Sequence, residues 1–395
     1  MKMKTKKLLS ALGVALLAAA VLTGCGGGDK KSAGTGATIK IGANLEMTGN
    51  SASFGKSSLN GMKLAVKELN AKGGVLGKQL EIVVADNKSE AAEAANAVQK
   101  LVSQDKVAAI VGSNLSSSVI AAIPINTGAK TLVITPMGTN PAVTVDAKSG
   151  KTHDFMFRAP FIDPFQGTVA ANFVSKTVNA KTAVVYIDNS SDYAKGLAQF
   201  FKENFEKLGG KVVGSEAYLQ KDTDFKATLT KIKALNPDVI YIPGYYQEVG
   251  LIVKQARELG MNMPLIGGDG WDSNKLPDIA GAKALDNTYF TNAYSPNDTA
   301  DSVKNFVAAY KKEYNNETPD VFAAMSYDCV MMIANAITKA GAVDTVKIKD
   351  ALAATKDFQV ATGKVTFDAQ HNPVKPAVII EHKEGKQVFK EKVNP

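Results

Sequence analysis

From Thr38 onward the chain alternates apolar runs of four to seven residues with longer amphipathic segments, and this rhythm leaves few folds open. Short apolar runs bounded by small polar residues read as strands buried on both faces, and the segments between them read as helices laid on a sheet. The pattern predicts a layered α/β fold with parallel sheets. Strands are expected at 39–45, 80–85, 107–111 and 132–135, with helices at 57–72, 90–104 and 118–127. In the first of these helices Leu59, Met62, Ala65, Val66 and Leu69 recur at helical spacing, and Gly73-Gly74 stop it.

A second series follows Phe155-Met-Phe-Arg-Ala-Pro160. Strands are expected at 182–187, 212–218, 239–242 and 265–267, with helices at 165–177, 193–208, 225–235 and 248–259. The stretch 286–294 is extended again. Helices at 299–314 and 322–340 are expected to return to the first lobe, and extended pieces at 363–368 and 377–381 to cross to the second. Two Rossmann-like lobes joined by a three-segment hinge account for this order. The N-terminal lobe is then 38–162 plus 295–365, and the C-terminal lobe 163–294 plus 366–395. A chain of 395 residues, 45% hydrophobic and 21% charged, is long enough for two such cores.

Residues 1–24 read as a signal peptide: a basic start, an apolar run too short to span a bilayer, and Leu22-Thr-Gly-Cys25, a lipobox. Cleavage there makes Cys25 the lipid attachment site and 25–37 a flexible tether, which expects an extracytoplasmic protein held at the membrane. Loss of Lys2, Lys4, Lys6 and Lys7 with the signal halves the formal charge of +8. No basic stripe interleaved with aromatics and no zinc spacing is evident, so neither nucleic acid nor metal is expected, nor any cofactor. Cys329, the other cysteine, reads as a small core residue.

In open parallel sheets, ligands sit beyond the carboxyl ends of the strands. After the strand at 107–111, Gly112 allows a tight turn, and Ser116, Ser117 and Ser118 offer hydroxyls and N–H groups at a helix start, an arrangement that suits an anion. After the strand at 132–135, Thr135-Pro-Met-Gly-Thr139 offers carbonyls and a hydroxyl to an ammonium group. Both signs of charge at neighbouring loops point to a zwitterion, an amino acid; ordinary helix caps explain the serines equally simply. In the second lobe, Asp269 stands among glycines in Gly267-Gly-Asp-Gly-Trp-Asp272 and could meet the ammonium, or form an Asx-turn. Tyr193 and Tyr245 could supply hydroxyls and flat walls, or pack on their own lobe. Trp271 either lines the pocket or covers the hinge side.

The marks Asn70-Ala-Lys-Gly-Gly74, Gly112-Ser-Asn-Leu-Ser-Ser-Ser118, Thr135-Pro-Met-Gly-Thr-Asn-Pro141, Gln166-Gly167, Tyr193-Ala-Lys-Gly-Leu197 and Gly244-Tyr-Tyr-Gln-Glu248 come in an order that resembles the solute-binding proteins of branched-chain (leucine, isoleucine, valine) amino-acid ABC transporters, a type I periplasmic-binding or Venus-flytrap fold. The resemblance implies that Ser116 and Thr139 hold the ligand carboxylate, and that the Met137 carbonyl, the Thr139 hydroxyl and Asp269 take the ammonium. It implies that Tyr193 and Tyr245 close over the ligand while Phe54 and Leu115 line its side chain. It further implies a monomer that closes about a hinge near Arg158 to Asp163 and delivers a free amino acid to a permease and its ATPase. Asp269, Met137 and Trp271 depart from the family pattern, which leaves the side-chain preference open.

Other roles are weighed against this one. His153, His371 and His382 are the only histidines, and none is near the serine loops in sequence. Gly112-Ser-Asn-Leu-Ser116 lacks the G-x-S-x-G spacing of a nucleophile elbow, and Gly73-Gly-Val-Leu-Gly77 precedes a strand where a dinucleotide fingerprint follows one. No enzyme and no catalytic residue is therefore expected. The alternatives that keep the fold are another small solute, such as an amide, urea or a different amino acid, or a ligand-sensing module.

Overall fold

The computed structural model describes residues 38–394. The expected signal peptide, Cys25 and the tether lie outside the described residues. The first series builds β1 (Ile39–Leu45), α1 (Ala52–Ala71), β2 (Leu80–Asp86), α2 (Ala91–Ser103), β3 (Ala109–Gly112), α3 (Ser116–Ala129), β4 (Leu132–Thr135) and β5 (Met156–Arg158). These strands form one parallel sheet in the order β2-β1-β3-β4-β5. The order reverses between β1 and β3. A crevice opens beyond the carboxyl ends of such a pair, which here are Leu45-Glu46 and the loop from Gly112 to Leu115.

The second series gives α4 (Asp163–Asn172), which runs on as a wider π-turn at Phe173–Thr177, then β6 (Thr182–Asp188), α5 (Asp192–Lys207), β7 (Lys211–Tyr218), α6 (Lys226–Ala234), β8 (Val239–Tyr241), α7 (Tyr246–Glu258), β9 (Leu265–Gly267), the short α8 (Leu276–Ala280) and β10 (Thr288–Asn292). The chain then supplies α9 (Asp301–Glu313), α10 (Val321–Ala340), α11 (Thr345–Ala353), a small hairpin of β11 (Phe358–Val360) and β12 (Gly363–Val365), and finally β13 (Ala377–Lys383) and β14 (Lys386–Val393). The second sheet has the order β14-β13-β10-β9-β8-β6-β7. Its switch point, between β6 and β8, puts the loops before Tyr193 and Tyr245 side by side.

The second sheet is parallel from β7 through β10, and two antiparallel strands extend its edge: β13 pairs antiparallel with β10, and β14 antiparallel with β13. The turn between the last two is Glu384-Gly385, both with positive φ, the two-residue connection that suits a twisted hairpin. Three connections pass between the sheets: 159–162 after β5, 293–300 after β10, and 366–376 after β12. α10 packs its apolar length on α1 and on the first sheet, as expected from its composition. The approach is close. A Cβ on Gly61 of α1 would lie 2.0 Å from the Ala323 carbonyl oxygen of α10, so only glycine fits there. α1 begins at Ala52, more than a turn before the expected start, because Phe54 is buried by stacking on Phe322 of α10 at 3.9 Å between ring centroids. α10 starts at an Asp320 cap that accepts from the Ala323 N–H at 3.0 Å.

Candidate functional site

The strand ends of both sheets converge on a small cavity, about 230 Å³ of empty space, lined by Phe54, Asn114, Leu115, Ser116, Met137, Tyr193, Tyr245, Asp269, Gly270 and Phe322. From the first lobe, Ser116 is the first residue of α3, and the earliest intrahelical bond runs from the Val119 N–H to the Leu115 carbonyl. The N–H groups of the three serines therefore precede the helix ladder, at its positive end. The Ser116 hydroxyl accepts from the Asn140 N–H at 3.3 Å, which ties the α3 start to the loop after β4. Thr135 ties the same two loops, donating to the Ser113 carbonyl at 2.6 Å and accepting from the Gly138 N–H at 2.8 Å.

Arg158, at the end of β5 and fully buried, shapes that loop further. Its guanidinium donates to the carbonyls of Gly138 at 2.8 Å and Asn140 at 2.9 Å, and to the Thr144 hydroxyl at 2.9 Å. Burial lowers its pKa to about 10, with Asp163 and Asp368 holding it up, so it stays cationic at neutral pH. Sequence reading placed Arg158 and Asp163 only at a hinge; the Arg158 side chain supports the loop that carries Met137 and Thr139, and the Asp163 N–H donates to the Thr139 carbonyl at 3.0 Å.

From the second lobe, Asp269 follows β9 among glycines that are sterically required. A Cβ on Gly268 would sit 2.3 Å from the Tyr193 hydroxyl. Asp269 is 3% exposed, and its Oδ2 has no hydrogen-bond partner among the described residues. Burial pushes its carboxyl up to about 7, while the Tyr193 hydroxyl, the Gln166 amide and the Gly270 N–H pull the other way and Asp272 adds to the rise. Tyr193 and Tyr245 stack at 5.4 Å, and Tyr245 meets Phe54 edge-on at 6.0 Å.

The expected site residues Ser116, Met137, Leu115, Phe54, Tyr193, Tyr245 and Asp269 thus surround one cavity. Three others sit elsewhere. Ser117 points across the seam, its hydroxyl accepting from the Asp192 N–H of α5 at 3.1 Å. Trp271 does not line the cavity; it is fully buried in the second lobe, stacked against Gly267, with its indole N–H on the Ile242 carbonyl at 3.0 Å. Thr139 lies just behind the lining, its buried hydroxyl without a hydrogen-bond partner among the described residues and beside Asp163. Asn114 and Phe322 line the cavity without having been expected. The periodicity of α10 marks Phe322 as buried, but nothing in it says that the helix start faces a cavity.

Both Asp163 oxygens are also buried without a partner among the described residues, and burial, with Asp269 nearby, pushes this carboxyl up to about 8 against the pull of Thr139 and Arg158. A raised carboxyl pKa favours the fold while it stays protonated, and that contribution fades as pH climbs from the unfolded value, about 4, toward 8. Asp163→Asn should therefore gain stability over the parent progressively between pH 5 and pH 8, read as the difference in urea midpoints. A difference that is flat across this range would show that Asp163 ionises freely.

A larger groove, about 960 Å³ of empty space, opens at the rim between α1, α7 and α8. The small cavity is the better candidate because buried polar atoms without partners gather around it.

The family described as periplasmic binding protein matches this chain over residues 38–387. The chain belongs to that family. This periplasmic binding protein is 32% identical to the leucine-, isoleucine-, valine-, threonine- and alanine-binding protein of Pseudomonas aeruginosa, over 84% of this chain and 86% of that one. Its fold superimposes on the branched-chain amino acid transporter substrate-binding protein LivJ of Streptococcus pneumoniae in complex with isoleucine, with TM-score 0.85 and 44% identity, covering 91% of this chain and 100% of that one. The leucine-binding protein LivK of Thermotoga maritima gives TM-score 0.85 at 37% identity, with 91% and 99% covered. The shared architecture is the two-lobed type I periplasmic-binding fold.

Proposed function

We propose that this binding protein captures a free amino acid with an aliphatic side chain outside the cytoplasm and delivers it to an ABC importer. One observation carries the reading: the Asp269 carboxyl, with an oxygen lacking any partner among the described residues, shares a small cavity with Ser116 at the positive end of α3. A carboxylate suits an ammonium and a helix N-terminus suits a carboxylate. The remaining walls, Phe54, Leu115, Met137, Tyr245 and Phe322, suit an apolar side chain. Relatives that bind leucine, isoleucine or valine support a branched-chain ligand.

Met137 and Thr139 would offer a carbonyl and a hydroxyl to the ligand's polar groups, and Tyr193 and Tyr245 would close the second lobe over it. The lobes, 38–162 plus 295–365 and 163–294 plus 366–395, would move about the three connections, and the ligand would favour the closed arrangement by its contacts to both. Lipidation of Cys25 would hold the protein at the membrane beside its permease and ATPase, working as a monomer.

The test is calorimetric titration of the chain starting after Cys25 with the twenty amino acids, urea and short amides. Saturable binding of leucine, isoleucine or valine is expected. If no amino acid binds and an amide or urea does, the proposed ligand class is wrong.

A further inference from the structure

Glu248 ends the stretch Gly244-Tyr-Tyr-Gln-Glu248, yet it does not line the cavity. It sits in the first turn of α7 and is 3% exposed. Its Oε1 accepts from the Lys221 backbone N–H at 2.8 Å and from the Asn50 amide at 3.0 Å. Lys221 belongs to the same lobe as Glu248, in the turn after β7. Asn50 belongs to the other, just before α1. The second of these bonds therefore joins the lobes. Beside it, the Lys221 ammonium reaches Glu90, at the start of α2, at 2.7 Å.

The second lobe builds its half of this contact alone. The Leu219 N–H donates to the Asp222 carboxylate at 2.9 Å, and the Asp222 N–H to the Leu219 carbonyl at 3.1 Å. Gln220 is held by the Ser190 hydroxyl on its N–H at 3.1 Å and by Asp188 on its amide at 3.0 Å. Within this turn Lys221 keeps a positive φ of 75°, a conformation that persists in a residue other than glycine where its surroundings impose it. The contact spans the two elements whose aromatic walls meet over the cavity, since α1 carries Phe54 and α7 follows Tyr245, 6.0 Å apart between ring centroids.

We propose that Glu248 is a positioning residue for ligand capture: with Asn50 it forms a latch that holds the lobes closed and raises the affinity for every ligand while touching none. The latch rests on the proposed function only in needing a solute that closes the lobes over the cavity. Apparent affinity scales with the fraction of molecules in the binding-competent state, so a contact made only on closure multiplies all dissociation constants by one factor. The Lys221–Glu90 pair adds little, because both side chains are more than half exposed.

The experiment titrates the chain starting after Cys25 with leucine and with valine, and follows dissociation by stopped flow. Asn50→Ala is expected to weaken both ligands by the same factor, about threefold or more, the weight of one hydrogen bond, and to raise the dissociation rate to match. Glu248→Ala should do the same, and the two changes together should lose no more than either alone, because they remove one contact. Glu248→Gln keeps an acceptor oxygen and should stay within about twofold of the parent. A loss under threefold in Asn50→Ala overturns the latch. So does a shift in the leucine-to-valine ratio as large as the loss itself, which would put Asn50 at the ligand's side chain. If an amide or urea binds the parent and no amino acid does, the amino-acid reading falls, and the same variants titrated with that solute decide the latch. If none of them binds, both fall.

Discussion

Asp269→Ala is expected to weaken amino-acid binding by about 1.5–3 kcal/mol, roughly 10- to 150-fold in Kd, the loss that follows from removing a buried charge-assisted hydrogen bond. The expectation has a pH signature. With its carboxyl pushed up to about 7 by burial, Asp269 is largely protonated in mildly acidic solution, and an ammonium ligand must displace that proton. Affinity should therefore fall as pH drops below 7, approaching tenfold per unit, and the proton should be released on binding. Asp269→Asn should flatten this dependence. Calorimetry in two buffers of different ionisation enthalpy reads the released proton directly. A Kd for Asp269→Ala within about 1 kcal/mol of the parent would place the ammonium elsewhere.

Arg158→Met should cost about 3–5 kcal/mol of stability, because breaking up a buried charged group leaves its partners uncompensated. Three acceptors would lose their donor: the Gly138 and Asn140 carbonyls and the Thr144 hydroxyl. Asp163, whose raised pKa Arg158 restrains, would rise further. Since the loop from Pro136 to Asn140 also carries Met137 and supports Ser116 through the Asn140 N–H, affinity should drop alongside stability. Urea unfolding and ligand titration of one preparation check both. A loss of less than about 1 kcal/mol would mean that the loop keeps its shape unaided.

The contrast between what the residues announced and what they concealed is physical. The strands at Leu132–Thr135 and Leu265–Gly267 lie where the apolar runs put them, because a strand buried on both faces writes its position into composition. β14 was not expected: it is a lysine-rich edge strand whose residues alternate between half-buried and exposed, a pattern shared with surface loops. β5 is too short to show a period. The lining of the candidate cavity was legible where a small polar residue followed a strand, as at Ser116 and Asp269, or where a resemblance supplied the position, as at Phe54 and Leu115. Ser117 was read toward the ligand, and Trp271 was left between the pocket and the hinge side, because sequence adjacency does not say which way a side chain points. Ser117 faces the other lobe, and Trp271 faces the core of its own. Asn114 went unread because the group that holds it, Glu46, is far away along the chain.

Among the bonds that cross the seam between the lobes, two meet on one residue. Ser117 accepts from the Asp192 N–H at 3.1 Å, and the Asn140 amide donates to the Asp192 carbonyl at 2.8 Å. Both stitches end on the backbone of α5's first residue, which every amino acid but proline can supply in full. The side chain at position 192 can therefore change without breaking either stitch.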